Sequence, residues 1–280
     1  MKKLNRREAL CAVGAGMGAF LTSKTALAVT NPLPNPVDPA MAPGVEAWKY
    51  IKVDPQAVAD RAYEDYPIGH CMHTVFMSIV SEVADALETS DPLAARTMRA
   101  FPFHMFHYGS SGGNGLGSLC GALNGAMAAI NLFVGSDKMR KAITQELVFF
   151  YERAELPLYE PKGAEGTHFP KTISNSVLCH ISSGKWCELA QARSESPERT
   201  ERCARLSADV ARKTIELLNL NFAGLNSADF EPIVSLEERE PTGTCVFCHD
   251  KGGETGNIIG KMTCGECHPD YTPDHSTTTL

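Results

Sequence analysis

Ser196-Pro-Glu-Arg-Thr-Glu-Arg-Cys203-Ala-Arg-Leu-Ser-Ala-Asp-Val-Ala-Arg-Lys-Thr-Ile-Glu-Leu-Leu-Asn-Leu220 is the stretch on which the fold turns. Ala204, Ala208, Ala211, Ile215 and Leu218 recur at alternating steps of four and three, the period of one helix face. Ser196 offers an N-cap and Pro197 a fixed dihedral at the first helical position, so the spacing predicts a helix over 197–219. The same periodicity extends back to Val45, broken by Gly, Pro and Ser and never giving way to a sustained strand alternation. It places helices at 45–52, 55–64, 70–88, 92–100, 116–133, 137–154, 172–180, 185–194 and 197–219, with Ser136-Asp137 as a second clear start. The fold class is therefore all-α: a helical bundle domain over 45–220, followed by a loop-rich tail over 221–280. From Thr242 onward that tail is short, polar and Gly-rich and cannot build a core of its own.

At the other end, Met1 to Arg7 is basic, Ala9 to Leu21 is apolar, and Ala26-Leu27-Ala28 supplies a small-x-small cleavage site. Residues 1–28 read as a signal peptide, and Arg6-Arg7 as a twin-arginine signal for folded cargo. The expectation is a periplasmic protein with no stable membrane insertion after cleavage. Residues 29–44 form a Pro-rich extended arm. The net charge of -7, with no basic stripe, argues against a nucleic-acid partner. Two segments stand out as long loops of the kind that carry function: His104 to Gly117, and Leu156 to Pro170.

The tail holds Cys-x-x-Cys-His twice, as Cys245-Val-Phe-Cys248-His249 and Cys264-Gly-Glu-Cys267-His268. Two thiols at this spacing add to the two vinyl groups of one porphyrin, and the next residue places an imidazole on the iron. Four thiols at the same spacing would also suit a zinc ribbon. The histidines favour haem: with nine His in 280 residues, one following both pairs by chance is expected on the order of once in a thousand. Cys245, Cys248, Cys264 and Cys267 are thus read as haem thioethers, and His249 and His268 as proximal iron ligands. Seven histidines remain for sixth ligands. His104 and His107, within Phe101-Pro-Phe-His104-Met-Phe-His107-Tyr108, are the best local candidates, read as two imidazoles in an aromatic pocket; His73 is a weaker one.

Setting aside Cys11 in the signal and the tail pairs leaves Cys71, Cys120, Cys179, Cys187 and Cys203, an odd number that disulfides cannot exhaust. Their contexts are Gly69-His70-Cys71-Met72-His73, Gly117-Ser-Leu-Cys120-Gly121-Ala122-Leu-Asn-Gly125, Ser176-Val-Leu-Cys179 and Arg202-Cys203-Ala204. This arrangement resembles the redox-active family named for its Cys, Gly-Cys-Ala-x-x-Gly, Cys and Cys pattern, although Gly121 makes the second motif one residue wider. With the two tail motifs added, it resembles the split-Soret cytochrome c family of sulfate-reducing bacteria over essentially the whole mature chain. The resemblance implies a homodimer with two haem c per subunit, bis-histidine ligated, one axial ligand crossing from the partner. It also implies an iron–sulfur cluster, expected as [2Fe-2S], on cysteines of the helical domain. Cys71, Cys120, Cys179 and Cys203 are the candidate ligands and Cys187 a weaker one, brought in only if Ser182-Ser183-Gly184 breaks the helix between it and Cys179. Cys71 and Cys203 read as helix starts, where dipole and free amides favour thiolates; plain buried thiols are the other reading of all five. The functional expectation is an electron carrier serving periplasmic redox proteins. The alternatives are a small haem-dependent reductase with an open iron position and a zinc-stabilised binding module.

Overall fold

A computed structural model describes residues 47–164, 166, 168–224, 249, 262–265 and 267–268. The signal, the arm, Cys245, Cys248 and His275 lie outside them. Seven α-helices follow in order: α1 Pro55–Glu64, α2 Tyr66–Leu87, α3 Pro92–Arg99, α4 Gly121–Phe133, α5 Asp137–Arg153, α6 Cys179–Ala190 and α7 Pro197–Phe222. A 3-10 turn, Phe103–Gly109, sits between α3 and α4. Among the described residues there is no strand, only the isolated bridges Leu119–Leu178 and Leu156–Thr172. No described helix is long and apolar enough to cross a membrane.

α2 is the centre of the molecule, packing against α1, α3, α4, α7 and the 3-10 turn. Its Val75, Ile79, Val80, Val83 and Leu87 are fully buried, facing Leu123, Ile130 and Ile215 in one continuous core. Four helices start as side-chain chemistry dictates: Asp54, Asp91, Ser136 and Ser196 each accept from an amide two or three residues on. α4 and α6 begin differently, with Cys120 and Leu178 at the cap position and no side-chain cap bond.

Two helices expected from periodicity are absent. Residues 47–54 run extended because the chain is tied to its neighbours: Trp48 N–H donates to the Leu132 carbonyl, and Asn219 clasps Val53 through both backbone groups. The segments at 172–180 and 185–194 are replaced by extended chain up to Leu178 and a single α6. Ser182-Ser183-Gly184 does not interrupt that helix. A helical glycine costs only about 1 kcal/mol, and Trp186, buried and stacked on Phe169 with its indole N–H on the Pro170 carbonyl, anchors the segment.

Candidate metal centre

Cys71, Cys120, Cys179 and Cys203 come from four separate helices and line one enclosed cavity, together with Tyr66, Ser111, Tyr151, Arg199, Arg202 and Leu206. Cys71 directly follows a break in α2, where His70 takes φ 59°, ψ -165°. A non-glycine residue there holds backbone strain, and it makes Cys71 the first residue of a fresh helical segment. Cys120 is the N-cap of α4 and Cys179 the first residue of α6. Three positive helix ends thus meet at the cavity, where thiols stand in place of ordinary caps. Amides point at the sulfurs as well, Ser111 N–H at Cys71 and Ala122 N–H at Cys120. Cys203 corrects the expectation of a helix start: it lies in the second turn of α7, and its positive neighbours are side chains instead. Arg199 Nη1 stands 4.0 Å and Arg202 Nη1 3.9 Å from its Sγ.

Burial raises the Cys71 thiol well above the usual range, raises Cys120 as well and lifts Cys179 to about 12, and neighbouring thiols push the same way. Burial thus favours the neutral form of these three thiols, and an anionic form needs compensating positive charge. The Tyr151 hydroxyl is buried beside Cys120 without completing a hydrogen bond to any described atom, and Arg202 Nε likewise has no partner. Among the described residues no carboxylate lines the cavity. Soft thiolate donors without oxygen ligands suit zinc or iron–sulfur groups, not magnesium or calcium. Among the described residues no three donors converge as they would on a single ion; the thiols surround a space. That space is ≈ 20 Å³, so side chains must swing outward to admit a group of several atoms.

Glycines permit the arrangement. A Cβ on Gly121 would lie 2.4 Å from Cys71 Sγ and from the Gly109 carbonyl oxygen; one on Gly125 would lie 2.4 Å from the Met72 carbonyl oxygen. α4 therefore presses its backbone against α2 at Cys71 and Met72, and Gly121 fills the widened motif position because an alanine there would strike the thiol. Cys187 is not in the cavity lining. On one continuous helix it is eight residues past Cys179 and turned about 80° away.

The 3-10 turn corrects the expected aromatic pocket around His104 and His107. With three residues per turn, Phe106 and Gly109 face inward, while His104, Met105, His107 and Tyr108 are exposed. Phe101, Phe103 and Phe106 gather around Phe76 instead of enclosing the imidazoles. His73 is the buried one. Its ring stands perpendicular to His107 with centroids 4.6 Å apart, its Nδ1 has no partner among the described residues, and burial followed by the His107 and His104 charges lowers its pKa. In the tail, the Cys267 and His268 amides both donate to the Cys264 carbonyl, so two thiols and an imidazole share one turn. Thr263 Oγ1 donates to Glu152 at 3.5 Å, tying that turn to α5.

Sequence reasoning passed over Arg199, Arg202, Tyr66 and Tyr151. A signal was present for one of them: Arg199, four residues before Cys203 on a helix, lies on the same face as that thiol, whereas Arg202, one residue before it, is not placed there by helix spacing.

Thiols gathered at helix ends with positive charge and no oxygen ligands define a class: a helical, cysteine-based redox protein. The model of the family described as "Putative redox-active protein (C_GCAxxG_C_C)" matches residues 70–217. Split-Soret cytochrome c of Desulfovibrio desulfuricans is 31% identical over 279 residues, covering 95% of this chain and 94% of the relative. A solved structure of that organism's split-Soret cytochrome c, reported as containing a novel iron centre, aligns with a TM-score of 0.68 at 32% identity, over 83% of this chain and 93% of the other. The chain belongs to the C_GCAxxG_C_C redox-active family, in its split-Soret cytochrome c branch.

Proposed function

We propose that this protein is a periplasmic electron carrier in which Cys71, Cys120, Cys179 and Cys203 hold an iron–sulfur cluster and the tail holds two haem c. The observation that carries the reading is the cavity: four cysteines spread over more than 130 positions of sequence line one space, with two arginines and no carboxylate. When bound, such groups take and release single electrons without substrate binding. The chain contributes a water-poor cage, backbone amides directed at sulfur, and a scaffold of packed helices. His249 and His268 would serve as proximal imidazoles. His104 and His107, exposed on their turn, would serve as sixth ligands, within this subunit or toward a second copy. Met105 and Tyr108 add exposed apolar surface on the same turn, in keeping with a homodimer.

The test is the spectrum of the mature protein from a cytochrome-competent host, with its intact mass. Two covalent haems, and a reduced spectrum unchanged by carbon monoxide, are the expected result. Carbon monoxide binding would mean an open iron position and a catalytic role. A colourless protein would return the tail to the zinc reading.

A further inference from the structure

Arg202 is 2% exposed, and a guanidinium stays charged at any ordinary pH. Its Nη2 donates to Ser182 Oγ at 2.7 Å and to the Ser182 carbonyl at 3.2 Å; its Nη1 faces Cys203, and its Nε has no acceptor among the described residues. Arg199, nearly one turn earlier and half-buried, faces the same sulfur. Several other arginines of the bundle meet carboxylates, as Arg61 does with Glu82 and Asp85, Arg205 with Glu201, and Arg212 with Asp209. Among the described residues neither Arg199 nor Arg202 forms an ion pair with a carboxylate; Glu195 lies near enough to feel the Arg199 charge, Arg202 has no such neighbour, and no carboxylate lines the cavity. A buried charge without a counter-charge costs several kcal/mol. The folded protein must therefore draw the negative charge from the thiols or from what they hold.

We infer that Arg202, with Arg199 at the rim, is the fixed counter-charge of the thiol cage, matching it to a metal–sulfur group whose four-thiolate complex carries two negative charges. The inference rests on the cluster reading above and adds the charge the occupant must have. Four thiolates contribute four negative charges, and a two-iron, two-sulfide core in its oxidised form contributes two positive ones; the two guanidiniums bring the sum to zero. One-electron reduction, by the dithionite of the titration below, adds one negative charge beside the arginines and needs no proton. Arg202 therefore favours the reduced state. Arg199 does so less, because solvent screens its charge. Both are positioning residues in this sense, since neither is a ligand.

The experiment uses the full mature chain and the R202M, R202K and R199M variants. Iron and acid-labile sulfide are counted, and the cluster signal is followed by electron paramagnetic resonance during a dithionite titration. Expected for R202M is at least a tenfold lower reduced-to-oxidised ratio at fixed potential, a midpoint lower by 59 mV or more. Most of that shift should be restored in R202K, and R199M should show a smaller shift of the same sign. If R202M takes up no iron, R202K decides. Loading rescued by lysine supports the charge role, and loading lost in both variants assigns Arg202 to holding Ser182 and overturns the inference. A loaded wild type whose midpoint does not move in R202M also overturns it, with the cluster reading intact. Wild type without iron and sulfide overturns both.

Discussion

Replacing Gly125 by Ala in mid-α4 would ordinarily stabilise a helix by about 1 kcal/mol. Here the new methyl would lie 2.4 Å from the Met72 carbonyl oxygen, 3.2 Å from its carbonyl carbon and 3.3 Å from its Cα, well inside van der Waals contact. These are backbone atoms of the central helix and cannot rotate away, so α2 and α4 must separate by several tenths of an ångström. Overpacking typically costs 1–3 kcal/mol, and a 2.4 Å contact against fixed backbone belongs to the upper part of that range, about 2–3 kcal/mol; less the propensity gain it leaves a net loss of roughly 1–2 kcal/mol. For a domain of this size that lowers Tm by roughly 3–6 °C. The assay is a thermal melt followed by circular dichroism on the full mature chain. Gly115→Ala is the control: its φ is also unfavourable for alanine, at +86°, but no atom lies within 4 Å, so its loss should be confined to about 1 kcal/mol of backbone strain. An unchanged or raised Tm for Gly125→Ala would refute backbone contact between α2 and α4, and with it the placement of Cys71.

Cys187→Ala should retain iron and sulfide at the wild-type level, whereas Ala at Cys71, Cys120, Cys179 or Cys203 should lose most of both; metal analysis of the purified variants checks this. His107→Met should raise the potential of one haem by replacing a basic nitrogen donor, and an unchanged redox titration would move the sixth ligand to His73, His70 or His275. Asp209 is fully buried, accepts from the Leu158 amide at 2.6 Å, and is raised by desolvation to about 6. Because its folded pKa lies above the unfolded value near 4, its contribution is fully present below pH 4 and is lost as pH rises through about 6, by roughly 3 kcal/mol at 1.36 kcal/mol per unit. Asp209→Asn should therefore gain stability relative to wild type between pH 4 and pH 7.5 in chemical denaturation; parallel profiles would contradict this.

The helices with side-chain caps or strong amphipathic faces were legible from the sequence. Asp54-Pro55, Asp91-Pro92, Ser136-Asp137 and Ser196-Pro197 start helices within a residue or two of expectation. Periodicity failed where tertiary bonds decide, as at 47–54, held extended by Asn219 and the Leu132 carbonyl. It failed again where α4 and α6 lack polar caps, because their starts are set by cysteines facing the cavity. The candidate thiols were visible as residues, but the charge around them was not. Arg199 and Arg202 look like the polar face of a surface helix until α6 and the cavity are placed beside them. The histidine turn misled through its period, since three residues per turn sends His104 and His107 outward where an α-helical reading puts them among the phenylalanines.

The central claim is that the four-thiol cavity holds iron and sulfide, and export offers the most direct test of it. A protein with c-type haems alone gains nothing from a folded-cargo route, because those haems are attached after translocation. A cluster requires folding first, since its assembly is cytoplasmic and exposed thiolates would oxidise. Changing Arg6 and Arg7 to Lys should strand the chain in the cytoplasm without haem. Analysis of that stranded form should find iron and acid-labile sulfide in equal amounts. Finding neither would contradict the account and leave Cys71, Cys120, Cys179 and Cys203 as plain thiols beside the buried charge of Arg202.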